Sequence, residues 1–252
     1  MAPRTIETEA VVLRSIRYGE ADRILHLFTK ERGRVGAIAK GARKSRSRFG
    51  ARLEPFSHVE LVLHEGRGDL ATVTGVELVR AHDGLAEDPF VTAVGWIGLE
   101  AMLRLFIEHD ANPRAFNALV RFLDLLDAGG PPPPGPARPE PALDPLALSF
   151  QLKLLWLAGY LPHLASCAGC GGDGALVGFS ARAGGAVCDD CAQGAVLLSA
   201  EGVLGARALL ERSLAEARLA GLAPAGARET LRVVEAVYEE HGGFRLRTLA
   251  RR

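Results

Sequence analysis

Four cysteines in two pairs of identical spacing restrict this chain more than any other feature. Cys167-x-x-Cys170 and Cys188-x-x-Cys191 are separated by 17 residues and are the only cysteines of the 252-residue sequence. A C-x-x-C turn sets two thiolates on one side of an ion, and two such turns supply the four sulfurs of a closed tetrahedral zinc site. Gly169, Gly171, Gly172 and Gly174 suit the tight backbone turns required. With four sulfur ligands no position stays open for a reactive water, so the expected cofactor is one structural Zn2+ per chain that staples and does not catalyse. Paired disulfides and inert thiols are the alternatives. The start of the chain carries Arg4, Glu7 and Glu9 with no apolar run behind a basic segment, so a cytoplasmic, reducing compartment is expected.

Around that module the hydrophobic pattern divides the chain. From residue 8 to 80 apolar and polar residues alternate in short runs broken by turns, which predicts strands at 10–17, 23–29, 34–40, 58–64 and 70–79. In 58–64, Val59, Leu61 and Leu63 share one face, and His58, Glu60 and His64 point mostly to the other. Five strands without helical crossovers predict a small antiparallel barrel of the oligonucleotide-binding type. After Asp88-Pro89 the period becomes helical. Helices are predicted at 92–109, from Pro113 onward with Phe116, Leu119, Val120, Leu123 and Leu126 as the apolar face, and at 143–160, 201–219 and 225–241. The expected fold class is therefore α+β and multi-domain. An oligonucleotide-binding (OB) barrel occupies 1–80 and an α-helical domain 81–252, with a proline-rich linker at 129–142 and the inserted four-cysteine zinc module at 163–193. The longest uncharged stretch, 154–172, is interrupted by Pro162, His163 and several glycines, so no membrane span or membrane partner is expected.

Thirty Lys and Arg balance 30 Asp and Glu, but the balance is an average over opposed segments. Residues 30–52 hold nine bases, Lys30, Arg32, Arg34, Lys40, Arg43, Lys44, Arg46, Arg48 and Arg52, against the single acid Glu31. Residues 81–130 hold eight acids against three bases. Such asymmetry points to a polyanionic partner for one part of the molecule. The loop from Gly41 to Gly50 adds Ser45 and Ser47, whose hydroxyls can donate to phosphate oxygens, and Phe49 or Phe56 is placed to stack on a base. All nine cations are candidate nucleic-acid contacts.

Three other motifs fail on their context. His58-Val59-Glu60 with a downstream C-x-x-C is deaminase-like, but Ser166 and Val187 stand where that signature needs proline. Residues 169–174 match the dinucleotide fingerprint formally, without a strand leading into them. Arg67-Gly68-Asp69 is most simply a hairpin turn. No phosphate-binding loop of the Walker type is present in the sequence.

The order of several strings then resembles one family, the bacterial recombination mediators of the RecO family. They are Thr8-Glu9-Ala10-Val11-Val12-Leu13, Tyr18-Gly19-Glu20-Ala21-Asp22, Phe28-Thr29-Lys30-Glu31-Arg32-Gly33, Ala39-Lys40-Gly41-Ala42-Arg43-Lys44-Ser45-Arg46, Leu53-Glu54-Pro55-Phe56 and Phe244-Arg245-Leu246-Arg247-Thr248-Leu249. The resemblance runs over nearly the whole chain and departs from the family in the proline-rich linker. It implies a non-enzymatic DNA repair protein of the RecF recombination pathway. Such a protein binds single- and double-stranded DNA, anneals complementary strands, and with RecR helps RecA load onto DNA coated by single-strand-binding protein. It also implies contact between the helical domain and the C-terminal tail of single-strand-binding protein, and a place beside the nucleoid. Two rival readings are a scaffold that binds only proteins and a zinc-dependent enzyme acting on nucleobases.

Overall fold

The computed structural model describes residues 4–45, 47, 49–66, 68–129 and 140–249, so Arg46, Arg48, Arg67 and most of the predicted linker lie outside the described residues. The chain forms two compact units, Met1–Pro89 with Phe106–Gly130, and Phe90–Leu105 with Pro131–Arg252.

The first unit contains a closed five-stranded barrel, β1 (Arg4–Tyr18), β2 (Asp22–Thr29), β3 (Gly33–Ala39), β4 (His58–Glu65) and β5 (Ala71–Arg80), in the order β1-β2-β3-β5-β4. β1 serves two neighbours. Its first half pairs antiparallel with β4 from Arg4↔Glu65 to Val11↔His58, and its second half with β2 from Ala10↔Thr29 to Tyr18↔Asp22. A bulge between Val12 and Arg14 gives the strand the local bend that this double pairing requires. A short parallel contact, Ala37↔Ala71 and Ile38↔Thr72, closes the barrel between β3 and β5. Alternate residues fill the interior: Ala10, Val12, Leu25, Leu27, Val35, Ala37, Val59, Leu61, Leu63 and Val73. Phe49 and Leu53, from the connection between β3 and β4, join the same core.

The helix predicted at 201–219 ends at Glu211, with a separate 3-10 turn at Leu214–Leu219, and β3 and β5 pair in parallel in a barrel expected to be antiparallel. Three further features differ from the sequence expectation for a tertiary reason. β1 starts at Arg4, well before residue 10, because β4 supplies a partner for a segment whose own apolar alternation is weak. The helix expected over 92–109 ends at Leu105. Beyond it, the backbone of 106–109 is taken by β3: the His109 N–H donates to the Arg34 carbonyl at 3.0 Å, and the Arg34 guanidinium donates to the Phe106 carbonyl at 2.9 Å. Gly33 permits this approach, since it adopts φ +64° and a Cβ there would lie 1.9 Å from the Asp110 carbonyl oxygen. His58 points out of the barrel as expected but is only 7% exposed. Helix α2 (Pro113–Ala128), capped by Asn112, covers it, with Phe116 edge-on to the imidazole at 5.7 Å.

The second unit holds α1 (Pro89–Leu105), α3 (Pro145–Leu157), α4 (Ala200–Glu211) and α5 (Pro224–Val237), followed by a wide π-type turn at Tyr238–Gly242. α3 is buried along nearly its whole length; Asp144 caps it by accepting from the Leu146 and Ala147 amides at 2.8 and 3.3 Å. Ser149 and Lys153 of α3 donate to the last carbonyls of α4, Leu209 and Leu210, each at 3.0 Å. Between α3 and α4 lies a small antiparallel sheet of β6 (Leu176–Ser180), β7 (Gly185–Cys188) and β8 (Val196–Leu197), with β6 in the centre. No helix among the described residues is long and apolar enough to cross a membrane.

Candidate nucleic-acid interface and metal centre

The barrel sorts the nine candidate cations into groups that the sequence presents as one. Lys30 pairs with Glu9 at 2.6 Å, Arg32 with Glu65 at 3.7 Å, and Arg34 with Glu108 at 3.1 Å. Arg52 is exposed on the wall of a groove of about 870 Å³ that also carries Glu7, Glu9, Glu31, Glu60 and Glu77. Lys40, Arg43 and Lys44 instead stand exposed in the loop after β3, with no carboxylate partner among the described residues. Arg46 and Arg48 of the same loop lie outside the described residues.

That loop is fastened beside the β1–β2 turn. The Arg43 amide donates to the Ala21 carbonyl at 2.8 Å, the Gly41 amide donates to the Asp22 carboxylate at 2.7 Å, and the Arg43 guanidinium reaches the Gly19 carbonyl at 3.4 Å. Asp22 is thereby a turn-holding group. A cleft of about 550 Å³ separates the two loops, lined by Glu20, Ala21, Asp22, Lys40, Gly41 and Lys44.

The fastening places the basic loop at the end of an outward-facing surface on β1, β2 and β3. Cross-strand register puts Arg14 opposite His26 and His26 opposite Gly36; Ile16 opposite Ile24 and Ile24 opposite Ile38; and Tyr18 opposite Asp22. Arg14 is exposed, the three isoleucines are half-buried, and Tyr18 is 54% exposed, whereas the intervening Arg17, opposite Arg23, alternates to the other side of β1 with Ser15. Leu70, from the β4–β5 turn, lies against Gly36 at the far side. Burial and the cations of Arg14 and Arg34 hold the His26 imidazole below its usual pKa, opposed by Glu108. The face thus combines cations, an exposed aromatic ring and apolar platforms, the combination that holds single strands without reading sequence.

Sequence reasoning did not single out Arg14 or Tyr18 of this face, and one of its two candidate stacking rings is not exposed. Phe49 is 2% exposed and plugs the barrel, because the chain between β3 and β4 must close one end of the core. The Phe56 carbonyl accepts a hydrogen bond from His82 Nδ1 at 2.8 Å, and its own backbone is at φ +74°, which fits a turn residue. The signal for Tyr18 was present in the alternation Arg14, Ile16, Tyr18 running up to Gly19.

In the second unit, all four cysteines are free thiols whose sulfurs lie within 4.8 Å of one another. Cys167 and Cys170 come from the loop before β6, Cys188 from the end of β7, and Cys191 from the turn after it. The first knuckle runs alongside β7, where the Ala168 amide donates to the Ala186 carbonyl at 2.8 Å. Gly169 is required by the closeness of the second knuckle, since a Cβ there would sit 2.9 Å from Cys191 Sγ. Amides of Cys188, Cys170 and Gly169 donate toward Cys167 Sγ, the first at 3.3 Å, and bring that thiol down to about 6. Hydrogen bonds with Cys167 and the other sulfurs push Cys191 up to about 12 and raise Cys188. One thiolate forms readily, and the next are costly without a countercharge, which a divalent ion supplies. A tetrahedron of thiolates about 2.3 Å from zinc has sulfur–sulfur edges of about 3.8 Å. Cys170 and Cys188 are 3.8 Å apart, so the donor set fits such an ion.

Fold and site together define a class: an OB-type barrel with a basic, partly apolar outer face, followed by a helical domain that carries a four-cysteine module. The sequence model described as Recombination protein O N terminal matches residues 1–82, and that described as Recombination protein O C terminal matches residues 86–250. The chain is 44% identical over 188 residues to the DNA repair protein RecO of Rubrobacter xylanophilus, covering 73% of this chain and 70% of that protein. It is 40% identical over 248 residues to the protein of the same name from Anaeromyxobacter sp. strain K, covering 96% and 93% of the two chains. The corresponding figures for the Nocardioides protein are 42% over 188 residues, 73% and 72%. The chain belongs to the RecO family, and this membership supports a function in DNA repair and recombination.

Proposed function

We propose that the barrel binds single- and double-stranded DNA on the outer face of β1–β3, that the protein anneals complementary strands, and that with RecR it helps load RecA onto DNA coated by single-strand-binding protein. The observation that carries this reading is the Arg43–Ala21 backbone bond, which sets Lys40, Arg43 and Lys44 at the end of the exposed surface that carries Arg14 and Tyr18. These cations neutralise phosphates on two strands that otherwise repel each other, and counterion release supplies the affinity. Tyr18 offers a ring to a base, and the row Ile16, Ile24 and Ile38 an apolar floor. Arg46 and Arg48 belong to the same loop and are assigned the same role. Lys30, Arg32 and Arg34 act chiefly by holding carboxylates, and Glu7, Glu60 and Glu77 keep phosphates off the β4–β5 side.

The protein holds DNA and does no covalent chemistry on it. Cys167, Cys170, Cys188 and Cys191 hold a structural Zn2+ that fixes the small sheet of the helical domain, which meets RecR and the tail of single-strand-binding protein. Acting on DNA places the protein in the cytoplasm at the nucleoid. The test is strand annealing on complementary oligonucleotides precoated with single-strand-binding protein, followed by RecA loading with and without RecR. The expected result is faster annealing by the wild type, lost in Arg43→Glu/Lys44→Glu. Annealing no faster than the protein-free control contradicts the proposal, and naked-DNA binding without activity on coated strands reduces it to a generic basic barrel.

A further inference from the structure

His26 stands at the centre of the face assigned to DNA, and no part of the proposed mechanism uses it. It points outward from the middle of β2, between the exposed Arg14 on β1 and Gly36 on β3, over which the Leu70 side chain lies, and it remains only half-buried. Ile24 and Phe28 flank it on its own strand. The ring is half-buried and has no hydrogen-bond partner among the described residues, so no protein group among them competes with a ligand for its nitrogens. The charged groups that act on it are Arg14 from β1, Arg34 from β3, and Glu108, which approaches β3 and pairs with Arg34.

We propose that His26 is a proton-coupled phosphate ligand: neutral in the free protein, it takes up one proton as a DNA phosphate settles between its ring and Arg14. The proposal rests on the reading of β1–β3 as the DNA face. Its physical basis is a change of neighbours. In the free protein a second positive charge is disfavoured first by half-burial and then by repulsion from Arg14 and Arg34, and these influences favour the neutral imidazole. A phosphate brings a negative charge and strong acceptor oxygens into the same space, which reverses the sign of the local field. The imidazolium then donates a charge-assisted hydrogen bond. By linkage, affinity must rise as pH falls, approaching tenfold per pH unit at the steepest point for one proton. The extra cation also steepens the salt dependence at low pH by about 0.7 in the log–log slope.

The experiment measures binding of oligo(dT) to the full chain between pH 5.5 and 8, with proton uptake read by calorimetry in two buffers of different ionisation enthalpy. Thymine has no group that titrates in this window, so proton uptake reports the protein. Wild type should take up close to one proton and bind at least fivefold more tightly at pH 5.5 than at pH 8. His26→Gln should bind with a flat pH profile, and His26→Lys tightly at every pH, also flat. His64→Gln, altered on β4 away from this face, should keep the wild-type profile. DNA binding without proton uptake, or an unchanged pH profile in His26→Gln, overturns the inference and leaves the DNA face standing. No oligonucleotide binding at any pH, by a protein with an intact thermal transition, overturns both.

Discussion

Phe49 and Tyr18 make opposite predictions that separate a core plug from a base-stacking ring. Phe49 closes the basic loop but is 2% exposed and packed in the barrel core with Leu53, whereas Tyr18 is 54% exposed. Phe49→Ala removes a buried phenyl ring and leaves a cavity, which should cost about 4 kcal/mol, within the range found for buried aromatic truncations. At about 1.4 kcal/mol per tenfold, the barrel should open roughly a thousandfold more often. Amide hydrogen exchange is the assay, because it reads the strands of the barrel separately from the helical unit. Tyr18→Ala should leave that protection nearly unchanged and reduce single-strand affinity by about 1–3 kcal/mol, or roughly 5- to 150-fold, the usual worth of one base–aromatic stack. The reasoning is refuted if Phe49→Ala leaves strand protection intact while lowering affinity for oligonucleotides.

The remaining predictions concern the seam, acid stability and the metal. Gly33→Ala should destabilise the barrel far more than Gly19→Ala, since both have positive φ but only the first meets backbone, at 1.9 Å from Asp110 O; thermal melts of the two variants decide this. Burial holds His58 below its usual pKa despite Glu9, so the unfolded chain takes up the proton first. Barrel stability should therefore be full above about pH 6.5 and decline below it, with a second loss below about 4.3 as Glu9, kept low chiefly by Lys30, is protonated. Denaturation midpoints that do not move between pH 8 and 5 contradict this. Cys170→Ser, or removal of metal by a chelator, should abolish a stoichiometric metal with four sulfur neighbours in its absorption spectrum and expose the amides of 163–198 to exchange, with those of the barrel unaffected.

Local patterns carried the elements, and only packing could assign the partners. The strand at 58–64 was legible because Val59, Leu61 and Leu63 alternate cleanly, and the four-cysteine cluster because C-x-x-C spacing encodes its own geometry. The first residues of β1 were illegible because Thr5, Glu7 and Glu9 are polar, and their strand character comes from the register with β4. The true end of α1 was hidden because the apolar period continues past Leu105, while Arg34 and Gly33, far earlier in the chain, claim the backbone that follows. Counting cations found the basic segment, but the acids that occupy Lys30, Arg32 and Arg34 lie 21, 33 and 74 residues away in sequence, so the count could not separate them from Lys40, Arg43 and Lys44.

The central claim, that an exposed cluster of cations on the barrel holds DNA through its phosphates, is tested most directly by the salt dependence of oligo(dT) affinity. If Arg14, Lys40, Arg43 and Lys44 each neutralise one phosphate, the logarithm of the binding constant should fall against the logarithm of salt with a slope of about −2.8, at roughly 0.7 per contact. Arg43→Glu/Lys44→Glu should lose most of the affinity and flatten the slope, with barrel exchange protection unchanged. A binding constant that does not respond to salt, or a charge-reversed variant that binds as tightly as the wild type, contradicts the account.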